Sequence, residues 1–446
     1  MGILRTARLV SLPAGAVALS VEGAVRRALG QDRDQVARRQ RDRNAARTRR
    51  VLGDLKGGAL KAGQLLSTVE ALFPADPEGT WRQALVGLQE DNPGMPWHEA
   101  DGVLTADLGP RWRESFESFD ERPAAAASIG QVHRARWVGP GTGGRTGSGP
   151  ARDVAVKVQY PGVREALVSD VRALSAASRL TALVARGVAL PPLVAELRTR
   201  LVEELDYTRE AAQQRVFAAA FGTPGRVVDP GAAVPDVVHA TPRVLVQEWM
   251  DGVPLARLAV DGSQADRDRA GLLYQRFLLS GPRRCGLLHT DPHPGNFRLL
   301  PDGRLGALDF GSCLALPGGL PRTFGRLITA LLAGDDDDVL AALREEGLVR
   351  PGASLEVAKL RDYLAPFSEP ARHEVFTYSR QWLREQFGRV NDPRNPDFAV
   401  ALQLTIPAEQ LFTHRVWLGI VGVLAQLEAT VPVRPELRRW LPGFGL

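Results

Sequence analysis

The period of the hydrophobic positions changes twice along the chain. Between residues 51 and 120, apolar residues recur every three or four positions, which predicts a helical block that ends near Asp120. Short aliphatic runs separated by turn residues follow in residues 121–252, and the helical period returns in residues 253–446. A small β-rich lobe between helical blocks predicts an α+β fold with two lobes and a cleft between them.

The strand-like runs are short, and several are rich in β-branched residues. They lie at residues 132–138, 154–159, 226–228, 234–239, 243–250, 287–289, 297–300 and 305–309. A Gly/Ser/Thr-rich hairpin loop, residues 139–150, joins the first two runs. A long helical region is predicted from Val163 to Phe221, with a break near Pro191.

The composition is that of a globular protein with more than one domain: 446 residues, of which 44% are hydrophobic and 24% charged. Residues 31–50 hold eight arginines and three aspartates, which accounts for the whole net charge of +5. Because the remainder is neutral, we expect no nucleic-acid partner. Cys285 and Cys313 cannot form a disulfide framework, which favours a reducing compartment.

Residues 1–50 form a basic amphipathic segment with two interpretations. The segment is either a solvated lead-in to the fold or a contact with an anionic membrane surface or lipid. The most apolar stretches, residues 9–21 and 416–427, are shorter than the ~20 residues of a membrane-spanning helix. The sequence therefore predicts a cytoplasmic protein, with peripheral membrane contact as the alternative.

Two polar loops, each after a short apolar strand, carry the strongest chemical signal. The first contains Asp291 and, five residues later, Asn296; the second begins with Asp309 of an Asp-Phe-Gly sequence. Phosphoryl transfer needs a carboxylate to orient the attacking oxygen and hard oxygen ligands for Mg²⁺. This spacing matches the loops that supply both in protein kinases. We predict that Asp291 orients a nucleophile and that Asn296 and Asp309 bind the metal.

A weaker alternative for the first loop is a metal hydrolase built on His289, Asp291 and His293. Pro292 and Pro294 hinder the geometry that these three side chains would need to bind one metal ion. That alternative also gives no role to Asp309.

A lysine lies near the end of the second strand-like run, in Val154-Ala155-Val156-Lys157. A charged amine on a buried strand is costly unless it is paired, so we expect phosphate oxygens and a helix glutamate as its partners. Glu204 is the candidate glutamate. In a continuous helix, Glu204 and Asp206 would lie roughly 200° apart, so that one faces the metal and the other has a structural role.

The segment in front of Lys157 lacks the glycines of a kinase phosphate loop. Four alanines, Ala124, Ala125, Ala126 and Ala127, precede Ser128 there. Alanine carries a Cβ and lacks the freedom of glycine at positive φ. We therefore expect a stiffer loop that approaches the phosphates differently.

Together these motifs resemble the UbiB/AarF/ADCK atypical kinases, also called the coenzyme Q biosynthesis kinase-like family. The resemblance covers residues 51–334 and rests on six motifs in the order of the family. They are Lys61-Ala62-Gly63-Gln64, the Ala-rich loop, the strand with Lys157, Glu204-Leu205-Asp206, the Asp291-to-Asn296 loop and Asp309-Phe310-Gly311. The loop at 139–150 is a long insertion. The paired C-terminal membrane helices of some bacterial members are lacking, so we do not expect permanent membrane anchorage.

The resemblance implies a two-lobed protein-kinase-like fold. Its parts are a helical extension at residues 51–120, an N-lobe at 121–252 and a mostly helical C-lobe at 253–446. The implied ligand is ATP or ADP with Mg²⁺, and the Ala-rich loop is implied to favour ADP.

The resemblance also implies roles for individual residues. Lys157 contacts the α/β-phosphates, while Lys61 and Gln64 restrict the acceptor site and join Asp291 in the catalytic set. Adenine packs near the segment that joins the lobes, where Glu248 and Met250 are the candidate contacts.

The implied function is an atypical kinase or ATPase that acts on, or is regulated by, a lipid or small molecule of quinone or prenyl-lipid metabolism rather than phosphorylating proteins. One alternative is a nucleotide-sensing pseudokinase scaffold, whose binding residues would look the same. Another is a small-molecule phosphotransferase of the aminoglycoside or choline kinase type, a class that lacks the Lys-x-Gly-Gln motif and the Ala-rich loop. The sequence leaves the phosphoryl acceptor and the protein partners open.

Overall fold

The computed structural model describes residues 94–127, 129–139, 150–165, 167–168, 203–350, 352–353, 355–391, 400, 403–405, 407 and 410–445. Lys61, Gln64, Ser128 and the basic segment, residues 1–50, lie outside these ranges. The chain divides into two compact units. The first unit contains the described residues up to Tyr207 together with His239–Val246, and the second contains Thr208–Val238 and Gln247–Leu446.

The first unit is built on a sheet. Its helical elements are α1 (Trp97–Leu108) and a 3₁₀ turn (Trp112–Ser115). Its strands are β1 (Phe116–Phe119), β2 (Ala125–Ala126), β3 (Gly130–Trp137), β4 (Arg152–Gln159) and parts of β8 (Val237–Ala240) and β9 (Val244–Glu248). The strand order is β1-β3-β4-β9-β8, with β2 paired to β3. β4 is therefore an interior strand of the sheet.

Helix α1 is fixed to the sheet of this unit by one carboxylate. Asp107 accepts hydrogen bonds from the Thr241 hydroxyl at 2.7 Å and from Arg243 Nε at 2.8 Å. The opposite end of α1 carries Trp97, whose ring packs against Trp112 with centroids 6.3 Å apart. These contacts fix both ends of α1 within the first unit.

The helical block predicted to end near Asp120 ends earlier than expected. Phe116–Phe119 is a strand antiparallel to β3, with a register shift between Phe116 and Ser118. Because of this bulge, Phe116 and Phe119 pack together with ring centroids 5.3 Å apart. The prediction of a helix for these residues is therefore wrong. It arose because a spacing of three residues is also typical of one face of a helix.

The helix predicted through residue 221 is interrupted. Leu205 and Asp206 are not helical, and a new helix, α2 (Tyr207–Phe221), begins after them. The Leu205 carbonyl accepts a hydrogen bond from Gln159 Nε2 at 3.1 Å, and the Tyr207 N–H donates to the Pro242 carbonyl at 3.1 Å. Because these backbone groups bond outside a helix, the helical angle expected between Glu204 and Asp206 does not apply.

The second unit is mostly helical, as predicted. Besides most of α2, the helices among its described residues are α3 (Leu255–Asp261), α4 (Gln264–Cys285), α5 (Arg322–Ala333), α6 (Asp336–Glu345), α7 (Val357–Ser368), α8 (Arg380–Asn391), α9 (Leu411–Leu427) and α10 (Val433–Trp440), with 3₁₀ turns at Pro294–Asn296 and Glu369–Arg372. Within the described ranges, no helix combines the length and the apolar character needed to cross a membrane.

Short strands accompany these helices. They are β5 (Gly222–Thr223), β6 (Arg226–Val227), β7 (Ala232–Ala233), β10 (Val253–Pro254), β11 (Leu287–His289), β12 (Phe297–Leu299), β13 (Leu305–Ala307), β14 (Cys313–Ala315), β15 (Val375–Thr377) and β16 (Thr430–Pro432). β10, β12, β13 and β7 form one sheet, and β11 pairs with β14. The strands predicted around the two polar loops are thus present as β11, β12 and β13.

Helix α4 is the central helix of the second unit. Ser263 caps its first turn by accepting from the Asp266 N–H at 3.2 Å. Gly286 ends it in the left-handed conformation, with φ of 71° and its N–H on the Pro282 carbonyl. The side chains of Tyr274, Phe277 and Leu278 are almost fully buried in the main apolar core. The helix leads directly into β11, so its rigid packing positions the start of the first polar loop.

Candidate functional site

Lys157 lies in the buried interior strand of the first unit. β4 pairs with β3 along its whole length, and Lys157 stands opposite Val132. Val156 and Val158 on either side are fully buried, and Lys157 itself is only 8% exposed. An ammonium at this depth is stable only with anionic partners, so a carboxylate or a phosphate is the expected partner.

Gln159 ties the Glu204 segment to the same strand. Its Nε2 donates to the Leu205 carbonyl at 3.1 Å and to the Pro242 carbonyl at 3.3 Å. Lys157 and Gln159 are two residues apart in β4 and therefore share one face of the strand. The backbone next to Glu204 thus lies against the face of β4 that carries Lys157.

The Ala-rich loop is an edge of the same sheet. Ala125–Ala126 (β2) pairs with β3. The Ala124 N–H donates to the Val132 carbonyl and the Ala127 N–H to the Gly130 carbonyl, both at 2.8 Å. None of the four alanines has a positive φ. Because the sheet takes these two N–H groups, they are not available to a phosphate.

In the second unit, β11 and β14 fix the start of the first polar loop. The two strands are antiparallel, with His289 opposite Cys313. The next residue, Thr290, donates its N–H to the Ser312 carbonyl at 3.0 Å, and the two hydroxyl oxygens lie 2.8 Å apart. Both side chains are buried. The loop therefore leaves the core at a defined position.

Asp291 and Asn296 are brought together within this loop. Asn296 Nδ2 donates to Asp291 Oδ2 at 2.7 Å, and the Asn296 N–H donates to the His293 carbonyl at 3.0 Å. The Asp291 side chain is 13% exposed. Because the amide nitrogen is used by Asp291, Oδ1 is the end of Asn296 that is left to bind a cation.

Asp309 follows β13 and is linked to the same loop through the backbone. Its Oδ1 accepts from the Gly311 N–H at 3.0 Å. The preceding Leu308 N–H donates to the Asn296 carbonyl at 2.9 Å. The structure therefore brings Asp291, Asn296 and Asp309 together in the second unit.

His289 joins the two loops instead of facing a ligand. Its ring is 1% exposed, and Nε2 donates to the Asp309 carbonyl at 2.5 Å. Among the described residues, nothing hydrogen-bonds the buried Nδ1. Burial lowers the pKa of His289 below its ordinary value of 6.5, although nearby Asp309 and Asp291 oppose this shift. The imidazole is therefore neutral and occupied by backbone, which speaks against its use as a hydrolase ligand.

The segment proposed for adenine is anchored beside the Asp309 loop. Gln247 is buried and its Nε2 donates to the Leu308 carbonyl at 3.2 Å. Met250 is buried in a small apolar cluster that Leu308 also contacts. The Glu248 N–H donates to the Asp236 carbonyl at 2.9 Å, so the backbone there is held in place.

Glu210 is a site neighbour that the sequence analysis missed. It lies in α2, is 3% exposed, and its Oε1 accepts from the Phe310 N–H at 3.3 Å. Phe310 is fully buried and packs on Phe217 of the same helix with ring centroids 5.0 Å apart. No sequence signal separates Glu210 from the other glutamates of a helix.

Two further side chains reach the first polar loop from helices. Tyr274 of α4 donates its hydroxyl to the Pro292 carbonyl at 2.6 Å. Burial, assisted by Asp291, raises the pKa of Tyr274 well above its ordinary value of 10, so the hydroxyl remains a donor. Arg415 of α9 lies 2.8 Å from Asp291 Oδ1. The available sequence signal was that Arg415 is the one charged residue of α9.

The donor set suits Mg²⁺ better than zinc. Asn296 Oδ1 and the Asp309 carboxylate are hard oxygen donors, and Mg²⁺ commonly uses one or two such groups with phosphate oxygens and water. Among the described residues, no group of three or more His, Cys, Asp or Glu side chains can hold a metal ion. The two oxygen donors fit a metal ion that also binds phosphate oxygens.

The chain matches a known family. The model of the ABC1 atypical kinase-like domain matches residues 87–343. The mitochondrial atypical kinase COQ8 of Schizosaccharomyces pombe is 32% identical over 324 residues, which are 71% of this chain and 49% of that protein. The mitochondrial atypical kinase COQ8 of Saccharomyces cerevisiae is 28% identical over 405 residues, which are 87% of this chain and 74% of that protein. The chain thus spans about half the length of the first relative.

A solved structure is similar over nearly the whole chain. It is the complex of Rv3197 with erythromycin from Mycobacterium tuberculosis, with 37% sequence identity and a TM-score of 0.68. The match covers 93% of this chain and 100% of the other. Together with the family match, this similarity confirms the predicted kinase-like α+β fold.

Proposed function

Because this chain belongs to the ABC1 atypical kinase-like family, we propose that it is an atypical kinase or ATPase that binds Mg-ATP or Mg-ADP. Its substrate or regulator is a lipid or small molecule of quinone or prenyl-lipid metabolism rather than a protein. The quinone connection rests on the resemblance carried by the motifs. The observation that carries the nucleotide proposal is the Asp291–Asn296 hydrogen bond beside the Asp309 loop.

Each residue of this arrangement has a proposed task. Asn296 Oδ1 and Asp309 hold Mg²⁺, which when bound neutralises charge on the phosphate oxygens. Asp291 orients the attacking hydroxyl or water and accepts its proton. Lys157 contacts the α/β-phosphates and Glu204 holds its amine. The buried position of Lys157 on β4 and the Gln159–Leu205 hydrogen bond support this pair.

The remaining candidates are proposed on the resemblance. Lys61 and Gln64 restrict access to the acceptor, and Ala124–Ala127 with Ser128 adjoin the phosphates. Adenine contacts Glu248 and Met250, where the buried Met250 side chain supplies an apolar surface.

The central test compares two aspartates. Asp309→Asn is expected to weaken Mg²⁺-dependent nucleotide binding by at least about tenfold, because it removes the charged metal ligand. Asp291→Asn is expected to keep binding and lose most turnover, because it removes a group that acts on the nucleophile. Calorimetry with Mg-ATP and Mg-ADP measures binding, and phosphate release measures turnover.

The matched control is Asp261→Asn, which changes an exposed carboxylate of the same unit that pairs with Arg257 in its own helix. Unchanged binding in Asp309→Asn would overturn the metal assignment. Binding without turnover in the unaltered chain would favour the nucleotide-sensing scaffold instead.

We also propose peripheral contact of residues 1–50 with anionic lipid, because this segment carries the positive charge of the chain. Sedimentation with phosphatidylserine vesicles, with and without residues 1–50, tests this at two salt concentrations. Binding that salt does not weaken would contradict the proposal. Since the mycobacterial neighbour was solved with erythromycin, macrolides belong among the small molecules tested for an effect on turnover.

A further inference from the structure

Helix α9 carries a single charged side chain, and that side chain reaches the first polar loop. The helix reads Leu-Phe-Thr-His-Arg-Val-Trp-Leu-Gly-Ile-Val-Gly-Val-Leu-Ala-Gln-Leu, so Arg415 is the one Arg, Lys, Asp or Glu in a mostly apolar helix. Its guanidinium lies 2.8 Å from Asp291 Oδ1, and the two side chains are only 17% and 13% exposed. An ion pair at this depth is strong enough to fix the geometry of both partners.

The pair determines how Asp291 is oriented. Arg415 binds Oδ1, and Asn296 Nδ2 donates to Oδ2 at 2.7 Å. Because each carboxylate oxygen has its own donor, the carboxylate has little rotational freedom.

A second contact, one turn further along α9, explains why the helix comes this close. A Cβ built on Gly419 would lie 2.2 Å from Cγ and 2.6 Å from Cβ of Pro292. Any side chain there would push the loop and the helix apart. From its other side, the same loop residue accepts the Tyr274 hydroxyl at 2.6 Å. The loop is therefore fixed between α4 and α9.

We propose that Arg415 is a positioning residue for the reaction: acting through Asp291, it holds the carboxylate in the orientation that turnover requires. This inference rests on the proposed function and deepens it, since it assigns a task to a helix outside the residues matched by the family model. Arg415 contacts Asp291, which is not one of the proposed metal ligands. Its loss is therefore felt in turnover and not in nucleotide affinity.

The test uses the full chain with Arg415→Gln and Arg415→Lys. Arg415→Gln is expected to lower kcat between about ten- and a hundredfold, because misplacing a catalytic group by about 1 Å can cost a hundredfold. KM for the nucleotide stays within about twofold. Arg415→Lys restores part of kcat, since it returns the charge without the fork of the guanidinium.

Arg276→Gln is the matched control. Arg276 makes a similarly shielded pair with Glu436 in the same unit, with side chains 28% and 5% exposed, and the pair belongs to α4 and α10. This control is expected to lower the melting temperature without changing kcat per folded molecule. If Arg415→Gln only lowers the melting temperature, as the control does, the inference is overturned.

A measurement without turnover separates this inference from the proposed function. Melting temperatures are compared for Arg415→Gln, Asp291→Asn and the double variant. Because the two groups form one pair, the melting temperature of the double variant is expected to fall by clearly less than the sum of the decreases in the two single variants. Combining Arg276→Gln with Asp291→Asn is expected to be additive. Additivity in both combinations would overturn the Arg415 inference even if the chain proves to bind nucleotide without turnover.

Discussion

The Glu210 carboxylate accepts a hydrogen bond from the Phe310 N–H at 3.3 Å, which links α2 to the residue after Asp309. Both residues are buried, so this N–H has no access to water as a substitute. The position of Phe310 constrains the position of the adjacent Asp309. The carboxylate in α2 therefore acts on the Asp309 loop through one hydrogen bond to the backbone.

Replacing Glu210 by Ala leaves the Phe310 N–H without a partner. We expect a loss of about 1–3 kcal/mol in the free energy of unfolding, together with weaker Mg²⁺-nucleotide binding. Glu210→Gln keeps an oxygen acceptor of the same length and is expected to preserve most of both. Chemical denaturation and calorimetry on the two variants measure these effects. Equal losses in both variants would show that the charge, and not the acceptor, matters.

Gly419→Ala tests the clearance between α9 and Pro292. The added methyl group would overlap the proline ring, so the loop or the helix must move, at a cost of about 1–3 kcal/mol. Turnover is expected to fall because Asp291 precedes Pro292. Gly422→Ala is the matched control, since a Cβ there meets nothing within 4 Å. That variant is expected to gain about 0.5–1 kcal/mol of stability and to keep its activity.

Ala126→Gly and Ala127→Gly test whether the Ala-rich loop discriminates between nucleotides. Glycine gives access to positive φ and lets the loop fold toward a triphosphate, so we expect ATP affinity to rise relative to ADP affinity. If the loop is only a sheet edge, glycine costs about 0.5–1 kcal/mol of stability and does not change the ratio of ATP affinity to ADP affinity. Affinities for both nucleotides and the melting temperature decide between these outcomes. An unchanged ratio in both variants removes the alanines from the mechanism.

His133 makes the stability of the first unit depend on pH. Its Nδ1 donates to the Asp120 carbonyl at 2.8 Å, and its Nε2 accepts from Gln131 Nε2 at 2.9 Å, which is the pattern of a neutral ring. Burial lowers the pKa of His133 below its ordinary value of 6.5. The unfolded chain therefore binds the proton more readily than the folded chain, and stability is lost as the pH falls below 6.5.

His133→Asn keeps a donor near the Asp120 carbonyl and removes the titration. Melting temperatures at pH 5 and pH 8 are expected to differ less in this variant than in the unaltered chain. The comparison of slopes, and not of absolute melting temperatures, is the readout, because the smaller side chain also leaves space in a packed site. A variant with the same slope would assign the acid sensitivity to other groups.

The sequence predicted the parts of this molecule that depend on local pattern. The strand at residues 287–289 has the predicted bounds. The strand that carries Lys157 begins two residues earlier than predicted. Asp291 and Asn296 are five residues apart in one loop, so their proximity follows from chain geometry. The kinase-like fold was predicted because the six motifs occur in the same order as in the family.

Tertiary contacts account for what the sequence did not reveal. Phe116 and Phe119 have a helical spacing, and only the bulge against β3 makes them a strand. The break at Leu205 depends on Gln159, which is distant in sequence. Arg415 is separated from Asp291 by more than a hundred residues. No periodicity encodes such partners, because each is selected by packing and not by its neighbours in the chain.

The residues of the family motifs and the α9 residues that contact them lie in different parts of the chain. The family match ends at residue 343, whereas Arg415 and Gly419 belong to a helix beyond it. A fragment that ends at that boundary would retain Lys157, Asp291, Asn296 and Asp309, but it would lose the Arg415–Asp291 ion pair and the close approach of Gly419 to Pro292. The stretch that carries the motif residues therefore takes two of the contacts that fix its first polar loop from α9.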